Sequence, residues 1–280
     1  MLLGVSKKQK EHYLIYSKKL NSGILMKTSK LSFLNISFLD LARAAATTVG
    51  KVIRYKTMKG NGFMISDKLF LTNNHVMYGS EEAKRSIVEF NYELDLNQKS
   101  KPITKFKFAP DEFLMSSPEE DLDFTIIAIG DRVSGKKKLS DFGFCPIKET
   151  ENTHTIGEFI NIIQHPRNYF KKIALRNNRL MAQTDEVLHY YASAISGSSG
   201  SPIFNDQFEP IGIHHSGKPS RIAYTQNGKP GPEEIMEGIR ISAIVNRINL
   251  EKNKLPKKHR RLIDVALKYP FRHPSSLNQE

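Results

Sequence analysis

The chain contains one cysteine in 280 residues, Cys145, so no internal disulfide can form. That excludes a secreted disulfide-stapled scaffold and favours a reducing compartment. No run of about 18 apolar residues occurs, which excludes a spanning helix. The apolar start, Met1 to Val5, stops at Ser6-Lys7-Lys8, too short for a secretory leader. A cytoplasmic protein is the expectation. No period of roughly 20 to 50 residues repeats, which disfavours solenoids and propellers. Acidic residues are also scarce: 29 Asp and Glu stand against 42 Lys and Arg, a net charge of +13.

That imbalance sits at the ends. Residues 1–33 hold seven Lys and one Glu, and residues 251–280 hold eight Lys or Arg and three acids. The body, 34–250, carries 27 bases and 25 acids, so the high isoelectric point says little about its chemistry. We expect a basic N-terminal extension over 1–33 and a basic C-terminal tail over 251–280. Solvated basic termini are common, though such ends could also hold nucleic acid, an acidic regulatory partner or anionic lipid. The body lacks a basic, aromatic-interleaved motif, so nucleic acid is not expected there.

Hydrophobic residues at 39% and charged residues at 25% suit an ordinary globule and exclude wholesale disorder. Ser37 is placed as an N-cap for a helix over Phe38 to Ala46, where Phe38, Leu41, Ala42 and Ala45 share one face. Short β-branched and aromatic runs then follow between turn residues: Val49 to Tyr55, Gly62 to Ser66, Leu69 to Thr72, Ile87 to Leu94, Phe124 to Ile129, Phe159 to Gln164, Lys172 to Arg176, Val187 to Ala192, Pro202 to Phe204, Pro210 to His214 and Gly238 to Ile241. Many short strands predict a mainly β protein, a sandwich or barrels. Gly130 to Leu139 is the weakest in pattern and marks a candidate boundary between two β halves. Helices are expected over Ser242 to Ile248 and, past Pro256, over Arg261 to Lys268.

Three local features carry chemistry. Gly60-Asn61-Gly62-Phe63 leads through Leu69-Phe70-Leu71-Thr72 to Asn73-Asn74-His75-Val76, delivering a histidine after an apolar strand. Asp121-Leu122-Asp123 opens the apolar run Phe124 to Ile129. Ser196-Gly197-Ser198-Ser199-Gly200-Ser201-Pro202 packs small residues into a loop before a strand. Each has an ordinary alternative: a packed histidine, a solvated turn acid, a flexible connection. A nucleophile needs the last composition, because small neighbours admit a substrate carbonyl and glycine lets backbone N–H groups converge on an oxyanion.

In the order His75, Asp123, Ser199 these features resemble the trypsin-like (chymotrypsin-fold) serine peptidases, and among them the bacterial branch of V8-type glutamyl endopeptidases. The likeness runs through Gly60 to Ser66, Leu71 to Val76, Asp123 to Ile127, Gly197 to Phe204 and Ile211 to Gly217, within about residues 49–250. It implies two six-stranded antiparallel β-barrels, the first over about 49–135 and the second over about 140–250, with a cleft between them. It implies a Ser199 nucleophile, a His75 general base, an Asp123 orienting acid and an oxyanion hole from the N–H groups of Gly197 and Ser199. The family's acid immediately precedes the strand, which selects Asp123 and leaves Asp121 as a solvated neighbour.

The resemblance also bears on substrate, a protein or peptide. Trypsin's acid at the pocket base, six residues before the nucleophile, is Ser193 here, so a basic P1 residue is disfavoured. His214 stands where V8-type enzymes bind an acidic P1 side chain, but the threonine they place five residues before the nucleophile is Ala194 here. Ser193, Ala194, His214, His215, Ser216 and Gly217 are thus the substrate-binding candidates, with strand histidines of purely structural role as the alternative for His214 and His215. Ser198 replaces the acid that anchors a freed N-terminus in trypsin-type zymogens, so that activation route is not expected. No metal or cofactor is called for: Gly60-Asn61-Gly62 lacks the Lys-Ser/Thr of a phosphate loop, and the histidines show no metal-ligand spacing joined to cysteine. His214 and His215 are expected to point to opposite faces of a strand. Cys145 is expected as a small buried hydrophobe. The competing reading is a protease-shaped binding module that recruits an acidic partner or nucleic acid through the basic ends.

Overall fold

The computed structural model describes residues 33–148, 155–192, 197–216, 225–226, 229–230 and 235–268. Helix α1 (Ser37–Thr48) begins at Ser37 itself and runs past Ala46. Its predicted face is the packed one, with Ala45 buried and Phe38, Leu41 and Ala42 against the core.

The first sheet contains β1 (Val49–Arg54), β2 (Thr57–Met64), β3 (Leu69–Thr72), β4 (Ser86–Phe90), β5 (Thr104–Phe108), β6 (Leu114–Ser117) and β7 (Phe124–Ser134), with a short helix α2 (Ser80–Lys84) between β3 and β4. Its order is β3-β2-β1-β4-β5-β7-β6, and β3 also pairs with β7. That extra pairing closes six strands into a barrel, with β6 attached outside the ring. Strand β7 serves both neighbours because it is long: Thr125 to Ala128 pair with β3, and Ile129 to Ser134 pair with β5. Phenylalanines fill this barrel. Phe90 stacks on Phe142 with centroids 4.5 Å apart, and Phe70 lies edge-on to Phe90 at 6.3 Å.

The second sheet contains β8 (Asn161–Gln164), β9 (Lys172–Ala174), β10 (Arg179–Gln183), β11 (Val187–Tyr191), β12 (Pro202–Phe204) and β13 (Pro210–Ser216); β14 (Thr225–Gln226) and β15 (Lys229–Pro230) form a separate ribbon, and β16 (Ile235–Arg240) returns to the sheet. The order is β10-β11-β16-β13-β12-β8-β9. Its end strands β9 and β10 do not pair with each other; the sheet is a curled half-barrel, where a closed six-stranded barrel was expected, and its β10 edge meets the run into β8 through a bridge between Phe159 and Arg179 and the Leu180 N–H, which donates to the Glu158 carbonyl at 3.0 Å. Two helices follow, α3 (Ile241–Glu251) and α4 (Lys257–Lys268). None of the described helices is long and apolar enough to cross a membrane.

The architecture is the mainly β, two-barrel chymotrypsin type, and an apolar core joins its halves. Phe63 of β2 meets Phe204 of β12 edge-on at 6.4 Å, and Ile244, Ile248, Ile263 and Ala266 of the last two helices are buried in the same cluster. Helix α4 starts four residues before the expected Arg261, and its Ala266 carbonyl accepts from the Ile147 N–H at 3.0 Å, so this part of the basic C-terminal segment is built into the body. Within Gly130 to Leu139, residues up to Ser134 continue β7, whose exposed, largely polar side chains at the barrel's outer rim leave no apolar signature.

Candidate active site

The turn after β3 is locked onto the start of β7. Asn73 donates through Nδ2 to the Asp123 carbonyl at 3.0 Å, Asn74 donates to Thr125 Oγ1 at 3.2 Å, and Thr125 Oγ1 donates to the Met77 carbonyl at 2.7 Å. These bonds extend the β3–β7 register past the end of β3. They leave His75 directly over Asp123.

Asp123 is fully buried and has φ of 41°, a left-handed conformation that Asp tolerates better than most residues. Its Oδ1 accepts the His75 backbone N–H at 2.9 Å, and its Oδ2 lies 2.8 Å from His75 Nδ1. A second imidazole completes the group: His215 Nδ1 lies 2.6 Å from the same Oδ2. Burial would raise the Asp123 carboxyl, but the hydrogen bonds from His215 and His75 more than offset it and hold it below the usual carboxylate range. The donor atoms of His75, Asp123 and His215 lie within 4.8 Å of one another, and hydrogen bonds among them account for that spacing.

Ser199 sits on the other wall, in the loop before β12. Its carbonyl accepts the Asn61 N–H at 2.7 Å. Close approach here requires glycine. A Cβ on Gly60 would fall 2.8 Å from the Ser199 carbonyl and 2.7 Å from Val76, so Gly60 is the point where the His75 turn and the Ser199 loop meet. Gly200 has φ of 79°, and a Cβ there would lie 2.1 Å from the Asn61 carbonyl. Gly197, with φ of 91°, gives its carbonyl to Asn61 Nδ2 at 2.8 Å. Gly200 N–H bonds the His214 carbonyl at 2.9 Å, and His214 N–H returns to the Ser201 carbonyl at 2.8 Å. Among the described residues, then, the loop, β13 and β2 form one frame.

His214 and His215 turn to different partners, Tyr190 and Asp123. His214 is buried with Nδ1 2.6 Å from Tyr190 Oη. Burial first, then the neighbouring His215 and His75, push it down to about 3, which favours the neutral ring. Ser216 ends β13, while Ser193, Ala194 and Gly217 lie outside the described residues. Asp121 is not simply solvated: Ser117 Oγ donates to it at 2.8 Å and Arg247 pairs with it at 2.6 Å. Cys145 is buried 3.6 Å from Thr48 Oγ1, and burial pushes its thiol up to about 12, which suits a packing role.

Two participants had no usable signal in the sequence. Asn61 was noted only as part of Gly60-Asn61-Gly62, because its partners Gly197 and His165 are distant in the chain. The contact of His215 with Asp123 depends on a strand irregularity that only pairing with β16 reveals.

Residues 60–213 match the family described as trypsin-like peptidase domain. An uncharacterised protein y4fB of Sinorhizobium fredii is 37% identical over 170 residues, covering 58% of this chain and 26% of that protein. A glutamyl endopeptidase of Staphylococcus epidermidis is 29% identical over 166 residues, covering 57% and 55%. The chain thus spans about a quarter and about half of these two relatives. The solved structure of Rv3671c from M. tuberculosis, a serine-to-alanine mutant in its inactive form, superposes with a TM-score of 0.52 at 14% identity, covering 81% of this chain and 98% of that one, and supports the fold alone. With the matched segment running from Gly60 through the His75 turn and Ser199 loop to Ile213, the chain belongs to the trypsin-like peptidase family.

Proposed function

We propose that the protein is a serine endopeptidase that cleaves proteins or peptides through His75, Asp123 and Ser199. The observation that carries this is the two-point hold of Asp123 on His75, through the backbone N–H at 2.9 Å and Nδ1 at 2.8 Å, across the Gly60 contact from Ser199. With its Nδ1 proton on Asp123, the ring keeps Nε2 bare. Nε2 then takes the Ser199 Oγ proton as Oγ attacks the scissile carbonyl, and later delivers it to the leaving amine. The buried carboxylate stabilises the imidazolium between these steps. Gly197 and Ser199 supply backbone N–H groups to the oxyanion, each donor being worth about 3 kcal/mol in comparable sites. The peptidase domain is assigned to 34–250, and a reducing, intracellular setting suits the single buried thiol of Cys145.

We assign His214 to an acidic P1 residue, and the relative named a glutamyl endopeptidase supports the choice. The interaction differs from a simple ion pair. Nδ1 of the neutral ring is engaged by Tyr190, which leaves Nε2–H as a donor to a substrate carboxylate. Ser193, Ala194, Ser216 and Gly217 are assigned to the rim and floor of the same pocket.

The test is mass-spectrometric profiling of a diverse peptide library with the wild type and Ser199→Ala, alongside labelling by a fluorophosphonate. Cuts and a covalent adduct on Ser199, both absent in the variant, are the expected result. Cuts that persist in Ser199→Ala would remove Ser199 from the mechanism, and equal cleavage after Glu, Leu and Lys would remove the P1 assignment.

A further inference from the structure

Strand β13 carries one residue more than its partner β16: His214 pairs with Gly238 and Ser216 with Glu237, leaving His215 as the bulged residue. A bulge takes its extra side chain out of the normal alternation and re-aims it. Here it aims the ring at Asp123, 2.6 Å from Oδ2, while the other ring nitrogen faces Glu237 Oε1 at 3.9 Å. Glu237 is buried, and its Oε2 is held 2.9 Å from His189 Nε2 by the in-register pairing of β11 with β16. A row of titratable side chains therefore runs from His75 through Asp123, His215 and Glu237 to His189, crossing from the closed barrel into the half-barrel.

Two buried carboxylates flank one imidazole. With carboxylate oxygens 2.6 Å from one ring nitrogen and 3.9 Å from the other, the imidazole between them is the group placed to take up a proton. We propose that His215 is a positioning residue for proteolysis, an imidazolium set between Asp123 and Glu237 that fixes Asp123 on His75 and offsets part of its charge.

The proposal rests on the assignment of His75 and Asp123 to proton transfer. Among the described residues, the charged and titratable groups around His215 are Asp123, Glu237 and Glu119, with His75 at 5.7 Å between ring centroids and His214 adjacent in the chain. Burial alone would lower the His215 ring, but the bond to Asp123 and the charges of Asp123, Glu237 and Glu119 raise it overall. A cation on Asp123 weakens the carboxylate's hold on the His75 proton.

Two variants separate geometry from charge. His215→Ala should lower kcat by about 10- to 100-fold with KM little changed, and should move the acid limb of kcat/KM upward by roughly half a pH unit or more. His215→Asn keeps an N–H donor for Oδ2 and should recover most of kcat while leaving the acid limb displaced. A His215→Ala enzyme with unchanged kcat and unchanged acid limb would overturn the proposal.

The charge itself is read without turnover, by imidazole ¹³C and ¹⁵N shifts in full-length Ser199→Ala, with the His215 signals identified by their loss in His215→Asn. His215 should be doubly protonated at pH 7, and adding Asp123→Asn should lower its midpoint by about one unit or more. A ring that is neutral at pH 7 overturns the proposal, even if His215→Ala fails to fold. Absence of Ser199-dependent cleavage, by contrast, would count against the peptidase assignment alone.

Discussion

Asn61 holds the Ser199 loop at two points: Nδ2 donates to the Gly197 carbonyl at 2.8 Å, and the backbone N–H donates to the Ser199 carbonyl at 2.7 Å. Its Oδ1 accepts the backbone N–H of His165 at 2.9 Å and lies 2.7 Å from that ring's Nδ1. One amide of the closed barrel thus sets a loop and a strand end of the other half. Burial, together with Lys171 and Lys51, holds the His165 ring well below its usual range, so it remains neutral.

Replacing Asn61 by Ala should therefore cost activity more than folding. We expect kcat/KM to fall by about 10- to 100-fold and the loss of the Nδ2 donor and Oδ1 acceptor to cost about 1 to 3 kcal/mol of stability. The check pairs fluorophosphonate labelling rates of Ser199 with thermal melts. Unchanged labelling at lowered stability would confine Asn61 to a structural role.

Asp121 and Asp123 should separate cleanly. Asp123→Asn puts an amide where two imidazoles converge on one oxygen, and kcat/KM should drop by about 10⁴, as orienting-acid amides do elsewhere. Asp121→Asn weakens a partly exposed pair with Arg247 and should leave activity within about threefold. Steady-state assays of both variants decide the matter, and the reverse pattern would transfer the acid's role to Asp121.

Acid lability should trace in part to Glu93. This buried carboxylate receives Lys101 at 2.7 Å, Arg43 at 2.9 Å and Lys171 at 3.3 Å. Burial would raise it, but Lys171, Lys101 and Arg43 bring it down to about 2. Burial brings Lys171 down to about 8 despite the pull of Glu93, so it stays charged at neutral pH. Because the folded carboxyl lies below its unfolded value, its stabilisation is full above the unfolded range near 4.5 and is lost as pH falls toward 2. The amount is on the order of 3 kcal/mol. Denaturant titrations should show Glu93→Gln less stable than wild type at pH 7, with the gap closing below about pH 4.5. A gap that stays constant down to pH 3 would exclude this carboxylate as a source of acid lability.

Much of the fold was legible because apolar strands announce themselves locally. Leu69 to Thr72 and Pro202 to Phe204 appear as read, and the flanking polar residues placed His75 and Asp123 within hydrogen-bonding distance. Strand β5 went unread although Phe106 and Phe108 alternate with Lys105 and Lys107, a half-buried pattern with few apolar residues. Strands β6 and β10 hold only the short apolar runs Leu114-Met115 and Leu180-Met181-Ala182 beside Ser, Gln and Arg, with no alternation to mark them. Asn61, Glu93 and His215 were beyond local inspection for another reason. Each gains its meaning from partners that only the completed sheets bring near, and for His215 from a one-residue offset between two strands.

That offset gives length a meaning that composition alone does not have. In a regular strand, losing one residue exchanges the inward and outward sets of side chains. In β13 the extra residue already sits between His214 and Ser216, so a one-residue deletion there would restore even pairing with β16 and withdraw the imidazole from Asp123 while leaving the sheet otherwise continuous. Along this short stretch, loss of a single codon would redraw the chemistry more than most exchanges of one side chain for another.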